Sequence, residues 1–379
     1  MPEPKRILHV IDSFDLGGAQ EALVNLVAYA DRARFAPEVA AMHGRGVYWE
    51  KFRALGVPVH SLSPHKFVPV YFWNLFRLLL TRDFDIVHCH LIASNLVAKP
   101  LAALVGVPVR FNHDQANDEY RQRDRLRLAL DKFANRFSTH ICAVSASIVE
   151  FLVKHEGVPR ERISLVHNAI DLRRFTPAPE RRAELRREWQ LPADAPVIAG
   201  VGRLNYQKNF ALFLEIAAEI ARTHPRAIFV IAGTGPEERA LRESAGANVR
   251  FLGFIADTAR LYDAVDFLLM PSRFEGLPMA LLEAMAMRVP IVASRLDGIA
   301  EIIADGADGL LATPSAKDEF AAHLRTLLED PKRAADIADR AFQKVTAHFS
   351  AERMTREVEA LYDQWLAAPA ASRPGGGKP

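Results

Sequence analysis

Two α/β domains, each built on a doubly wound parallel sheet, are what this sequence of 379 residues predicts. Short apolar runs such as Arg6–Ile11, Ile86–His90, Val197–Val201 and Phe267–Met270 alternate with helical patterns along nearly the whole chain. That alternation is the signature of parallel strands joined by crossover helices. The length exceeds one ordinary core and suggests two domains of roughly 150–200 residues each. A Pro-containing stretch, Phe175-Thr-Pro-Ala-Pro179, reads as a linker and puts the boundary near residue 172.

Composition narrows the class. Hydrophobic content of 50% with 25% charged residues is that of a globular protein rather than a disordered or fibrous one. The two cysteines, Cys89 and Cys142, sit inside apolar runs and read as reduced packing residues. The amino terminus, MPEPKR and then a strand, shows no secretory signal, and no run of about 18 apolar residues spans a membrane. A cytoplasmic location is therefore expected, with peripheral attachment to the inner face of the membrane left open. The first 170 residues carry a net +4 and the remainder −2. A mildly basic first half suits an anionic membrane or acceptor, or is simply solvated surface; no nucleic-acid partner is expected.

In the first domain, the strand Arg6–Ile11 leads through a loop to a helix from about Ala19 to Tyr29. Gly17-Gly18 in that turn lets backbone approach a ligand, or serves only a tight turn. Strands at 35–42, 57–62, 85–90 and 108–112 then alternate with helices at 47–55, 71–81 and 93–105. Asp83-Phe84-Asp85 has metal-motif spacing but precedes its strand, at the edge away from ligands, and is rejected as a metal site. His88 and His90 share a strand face, with no third ligand at an obvious spacing. His90 and Asn112, near strand carboxyl ends, are candidates for the acceptor side, with a satisfied strand-end histidine the favoured reading of His90. His113 follows its strand, either facing a cleft or capping the loop. Arg121–Arg136 is a basic amphipathic helix with Leu126, Leu130 and Phe133 on one face. Docking of that face on the sheet is favoured over membrane contact. The aromatic stretch Phe67–Leu80 reads as a core helix or an interface anchor.

The second domain opens with a helix at 180–188 and a strand at 196–201. Gly202-Arg203-Leu204-Asn205-Tyr206-Gln207-Lys208 follows, then a helix from Phe210. A glycine and two cations at a strand-to-helix turn suit a diphosphate: Arg203 grips bidentately and Lys208 supplies a mobile charge. Gly233 and Gly235 make another turn of this kind after strand 227–232. The pivotal stretch is Pro271–Glu301. Strand Phe267–Met270 stops at Pro271, a loop carries Glu275, Gly276 and Leu277, and Pro278 opens a helix bearing Glu283. Two carboxylates flanking a helix N-terminus suit a sugar joined to a nucleotide through phosphates. A surface acid plus a helix-dipole acid is the plainer alternative. Helices at 315–329 and 331–347 follow, then one from Ser350 to Leu366.

EGLPMALLEAMA followed by PIVAS and GIAEII resembles the Glu-x7-Glu signature of the retaining glycosyltransferases of family 4, which have the two-domain GT-B fold. The resemblance extends over roughly residues 6–366. It implies that Glu275 contacts the transferred hexose and that Glu283 binds the nucleotide ribose. It implies that Arg203 and Lys208 stabilise the leaving diphosphate without a metal or other cofactor, and that His113 lies beside the sugar. Gly17, Gly18, Gly202, Gly233, Gly235, Gly276 and Leu277 join the donor site on the same ground. Asn168-Ala-Ile-Asp171 resembles the family's hinge with Ala169 in place of the usual Gly, and Asp297 stands where a second glycine is usual.

The resulting expectation is an acceptor domain at 1–172, a donor domain at 173–349, a helix at 350–366 crossing back to the first domain, and a disordered tail at 367–379. The activity is retaining transfer of a hexose from a nucleoside diphosphate sugar, UDP-sugar before GDP-mannose. The acceptor is a glycan, a lipid-linked glycan or a small molecule, in cell-envelope polysaccharide or lipopolysaccharide synthesis. A nucleotide-sugar epimerase of the same fold and a non-catalytic nucleotide-sugar binder are the alternatives.

Overall fold

A computed structural model describes residues 3–64, 68–115 and 124–369. Two compact units emerge: one comprises 1–169 with 351–379, the other 170–350.

The first unit holds a seven-stranded sheet in the order β3-β2-β1-β4-β5-β6-β7, with every neighbouring pair parallel. Its strands are β1 Lys5–Ser13, β2 Phe35–His43, β3 Val59–Ser61, β4 Ile86–His90, β5 Val109–Asp114, β6 His140–Ala143 and β7 Ile163–Leu165. Alternation along β1 sends Leu8 and Val10 to one face and Ile7, His9 and Ile11 to the other. Onto the Leu8/Val10 face pack α3 (Val68–Thr81), through Tyr71, Leu75 and Leu79, and α4 (Ile92–Leu104), through Ala98, Leu101 and Ala102. The Ile7/Ile11 face is covered by α1 (Gly18–Ala28) and by the last helix, Ala351–Ala367, through Met354, Val358 and Tyr362. Between α1 and α3 lies α2 (Val47–Ala54), and α5 (Arg125–Asn135) and α6 (Ala146–Lys154) follow α4.

The second unit holds a six-stranded parallel sheet in the order β10-β9-β8-β11-β12-β13. Its strands are β8 (Val197–Val201), β9 (Ile228–Ala232), β10 (Val249–Gly253), β11 (Phe267–Met270), β12 (Ile291–Ser294) and β13 (Leu310–Ala312). β8, β9 and β11 are fully apolar on both faces, as a sheet buried under helices on both sides requires, while β10, at the sheet's edge, carries the exposed Arg250. The strand order reverses between β8 and β11. Ligands of open parallel sheets bind at such a reversal, beyond the strands' carboxyl ends.

Several expected elements shift. Helices at Ala146–Lys154, Glu238–Ser244 and Thr258–Ala264 were not visible in the pattern. Pro278 is the N-cap of helix Met279–Ala286 rather than its first residue, with extended backbone at φ −73° and ψ 127°. The larger correction concerns α5. Leu126, Leu130 and Phe133 do not dock on the sheet; they are exposed, while Asp131, Ala134 and Asn135 face inward. Lys99 on α4 explains why: its buried Nζ donates to Asn135 Oδ1 and Ser138 Oγ at 2.9 Å each, so the inner contact is polar. Residues 121–123, the start of the expected helix, and 370–379, most of the expected tail, lie outside the described residues, as does Phe67.

Candidate active site

The carboxyl edge of the second sheet is assembled by its loops binding one another. Leu204 N–H donates to Thr234 O at 3.0 Å and Gly233 N–H to Gly253 O at 2.7 Å, joining the turns after β8, β9 and β10. Arg273 N–H donates to Gln207 O at 2.8 Å, joining the turns after β8 and β11. Such close backbone approach accounts for the glycines. A Cβ on Gly233 would lie 1.9 Å from Gly202 O, one on Gly235 2.3 Å from Leu204 O, and one on Gly298 1.6 Å from Gly276 O. Gly202, at φ +142°, and Gly233, at φ +148°, also hold backbone that side-chained residues rarely adopt.

At the strand reversal these loops bring together the residues that the sequence singled out. Lys208 Nζ lies 2.7 Å from Glu275 Oε1, and Gln207 Nε2 donates to Glu275 Oε2 and to Phe274 O at 3.2 Å each. Glu275 is buried, and so is Glu283, a turn into the following helix and against Tyr262. Arg203 is exposed and has no hydrogen bond or ion pair among the described residues. The helix at Met279 has no side chain capping its N-terminus, and a helix end of that kind can meet an anion, although Leu281 N–H already donates to Pro278 O at 3.1 Å. Gln207 was not anticipated; its place between two cations in the sequence gave no sign that its amide would steady Glu275.

The first unit places its candidates differently. His90 and His113 do not lie at an open edge; both are buried in a stack of imidazoles inside the sheet's core. His88 stacks on His90 with ring centroids 4.4 Å apart, and His113 lies parallel to His88 at 5.5 Å. His9 Nδ1 is 3.2 Å from His90 Nε2, and Tyr362 Oη of the last helix is 2.5 Å from His88 Nδ1. Burial lowers the pKa of His9 to about 3 and that of His113 to about 4, and drives His88 and His90 well below the ordinary range. The rings are therefore neutral near pH 7. His9 is the third imidazole that spacing did not reveal: nitrogens of His9, His88 and His90 lie within 4.8 Å of one another, close enough to hold a metal ion. Asp85, in contrast, accepts from Lys5 Nζ at 3.0 Å and from Arg6 N–H at 2.8 Å at the amino edge of β4.

Asn112 is also buried. It lines a small pocket with His113, Asn95, Asp131 and Asn135. The side-chain oxygens of Asn95 and Asn112 and both ring nitrogens of His113 have no protein partner there. Asp12, which the sequence did not single out, accepts N–H bonds from Ser94 at 2.7 Å and Ala93 at 3.2 Å and so occupies the N-terminus of α4. Gly17 is the N-cap of α1 in extended backbone, and Gly18 is its first residue.

Two Rossmann-like parallel-sheet units, the second with a strand-reversal site carrying an acid and two cations, define the GT-B class. Residues 181–344 match the family Glycosyl transferases group 1, and residues 16–174 match Glycosyltransferase Family 4. The chain belongs to this glycosyltransferase family, the one its Glu275–Glu283 stretch resembles. Over 338 residues it is 30% identical to the putative glycosyltransferase EpsF of Bacillus subtilis (strain 168), covering 85% of this chain and 87% of EpsF. It is 28% identical over 302 residues to the UDP-Gal:alpha-D-GlcNAc-diphosphoundecaprenol alpha-1,3-galactosyltransferase of Escherichia coli, covering 76% of this chain and 78% of that one. In fold it is similar to Anabaena HepE in complex with UDP-glucose, with a TM-score of 0.86 and 20% identity over 95% of this chain and 99% of HepE.

Proposed function

We propose that the protein transfers a hexose, with retention of anomeric configuration, from a nucleoside diphosphate sugar to a glycan or lipid-linked glycan acceptor in cell-envelope polysaccharide synthesis. The observation that carries this reading is the Lys208–Glu275 pair at the strand reversal of the second sheet, with Arg203 exposed on the same loop as Lys208 and without a hydrogen bond or ion pair among the described residues. In this reading the diphosphate takes Arg203 and Lys208, and Glu275, released from Lys208, accepts hydroxyls of the sugar. Glu283 accepts the ribose hydroxyls. As the sugar leaves, negative charge grows on the diphosphate, and two fixed cations oppose it in place of a metal ion. Retention follows if the departing phosphate itself takes the acceptor's proton on the face it leaves. In the first unit, His113, Asn112 and Asn95 line one small pocket in which their side chains have polar atoms without a protein partner, and that pocket is read as the acceptor side.

A uridine diphosphate donor is favoured by two relatives: the Escherichia coli enzyme is named for UDP-Gal, and Anabaena HepE was crystallised with UDP-glucose. A thermal-shift series with UDP, GDP, ADP and their glucose, galactose and mannose conjugates tests the donor. A ligand at 100 times its Kd stabilises by about 2.7 kcal/mol. The same series repeated with a chelator, followed by transfer to lipid-linked N-acetylhexosamine and NMR of the product's anomeric proton, tests metal independence and retention. No shift with any nucleotide, or an inverted product, overturns the proposal. An epimerised donor without transfer points to the epimerase alternative.

A further inference from the structure

The helices that cover one face of the first sheet turn apolar side chains outward. On α5, Leu126 (71% exposed), Leu130 (43%) and Phe133 (50%) recur at helical spacing on the solvent side, and the inward side is Asp131, Ala134 and Asn135. An ordinary surface helix has the opposite polarity. On α3, Phe72 (44%), Trp73 (63%) and Leu80 (59%) are exposed, with the half-buried Phe76 6.0 Å from Trp73. Between them, α4 presents half-buried Leu96, Val97 and Pro100 and ends at the exposed Leu104. Helices α3 and α4 pack on the same sheet face, and Lys99 ties α4 to α5, so the three outward stripes belong to one side of the unit. Apolar exposure on this scale marks an interaction surface.

Charge identifies the occupant. Neither α3 nor α4 contains an acidic residue, and the single one within α5, Asp131, is buried. Arg77, Arg125, Lys132 and Arg136 are exposed among the apolar side chains. At the margins, Asp124 is engaged as the N-cap of α5, accepting from Leu126 and Arg127 N–H groups, and Asp83 is exposed just beyond the end of α3. An apolar face studded with cations, whose three helices carry no exposed anion among the described residues, is complementary to a bilayer with anionic headgroups: rings and leucines enter the acyl boundary while Arg and Lys reach the phosphates. We infer that this three-helix face is a docking surface for an anionic membrane. No described helix is long and apolar enough to cross a membrane, so the attachment is peripheral. The inference rests on the first unit alone and does not depend on the donor site.

The test is co-sedimentation of the full chain with vesicles of phosphatidylcholine containing about 30% phosphatidylglycerol, against pure phosphatidylcholine vesicles. Each basic residue near such a surface contributes about 1 kcal/mol, or about fivefold in binding. The triple substitution Arg125→Gln, Lys132→Gln, Arg136→Gln is therefore expected to weaken binding on the order of 100-fold. Raising salt should weaken the wild type in the same direction. Leu126→Ser with Phe133→Ser should abolish binding at any salt, and because Leu126 is largely in water and Phe133 half exposed, giving up one ring contact to Phe137, the thermal transition should move by no more than a few degrees. Wild-type protein left in the supernatant with anionic vesicles at low salt overturns the inference. So does a homodimer, detected by light scattering, that Leu126→Ser with Phe133→Ser dissociates, since the face then belongs to a second copy.

Discussion

Lys208 Nζ and Glu275 Oε1 form an ion pair 2.7 Å long in which both side chains are largely shielded from water, at 16% and 5% exposure. Removing one member of a shielded pair leaves the other charge without its partner and costs about 3 kcal/mol or more. Lys208→Ala is thus expected to lower the melting temperature as well as turnover. Lys208→Ala with Glu275→Gln should recover most of the stability and none of the activity, because the amide needs no cation while the diphosphate still does. Thermal unfolding and the transfer rate, measured on both variants, check this. A double variant as unstable as the single one would mean that the pair is not what Lys208 contributes to the fold.

Glu283 tests the ribose assignment. Its carboxylate is buried, and a hydrogen bond to a charged acceptor is worth about 1.5–3 kcal/mol. Glu283→Gln keeps the volume and one acceptor oxygen but loses the charge. The expected result is a roughly 10- to 100-fold weaker Kd for the nucleoside diphosphate by calorimetry, with the free nucleoside weakened by the same factor. Unchanged nucleoside affinity would remove the ribose from Glu283.

The buried imidazoles predict acid lability. His9, His113 and His140 are held by burial at about 3, 4 and 4, below the ordinary value near 6.5 of an unfolded chain. The unfolded state therefore binds more protons, and stability falls as pH drops below about 6.5. A ring that stays neutral in the fold costs about 2 kcal/mol at pH 5. For the group as a whole, a fall in melting temperature on the order of 10 °C between pH 7.5 and 5 is expected. His9→Gln should flatten that dependence. A melting temperature indifferent to pH over this range would show that the rings become charged without unfolding the chain.

These histidines also mark what the sequence conceals. Apolar runs located most strands of both sheets to within a few residues, because a buried parallel strand leaves a continuous apolar trace; the three-residue edge strand Leu310–Ala312 was too short to leave one. Spacing along the chain carries no register between strands. His9 and His88 are 79 positions apart, yet they pair directly across β1 and β4. The same gap hides Asp12 at the foot of α4. On α5 the periodicity revealed a stripe correctly but not which way it faces, since Lys99 and Asn135, the polar pair that sets the orientation, lie in different helices. In the second unit the position of Arg203, Lys208 and Glu275 on strand-to-helix turns was legible from the pattern, and Glu283 inside the following helix, whereas the roles assigned to them rest on the family resemblance and not on spacing.

Gly233 separates packing from binding. At φ +148° with Gly202 O in the place of a Cβ, Gly233→Ala must displace backbone, and a loss of a few kcal/mol in denaturant unfolding is expected. Gly306→Ala is the control: φ is +77° with nothing within 4 Å, so only the left-handed penalty of about 1 kcal/mol applies. Equal stability of Gly233→Ala and wild type, with weaker donor binding, would return this glycine to a ligand role alone.

Arg203 gives the prediction with the least structural interference. Its side chain is exposed and makes no hydrogen bond or ion pair among the described residues, so Arg203→Ala should leave stability within about 0.5 kcal/mol of wild type. Its role, if it grips the diphosphate, appears only when phosphate is present. Affinity for UDP should fall by about tenfold or more, since a bidentate charge-assisted contact is lost, and affinity for uridine should not change. Arg203→Lys should recover part of the loss, because a point charge replaces the fork without its geometry. Raising ionic strength should weaken UDP binding to the wild type more steeply than to Arg203→Ala, as the variant has one fewer cation to screen. If uridine and UDP lose affinity in equal measure, Arg203 acts on the base or on the shape of the loop after β8, and Lys208 is left as the cation that meets the leaving group.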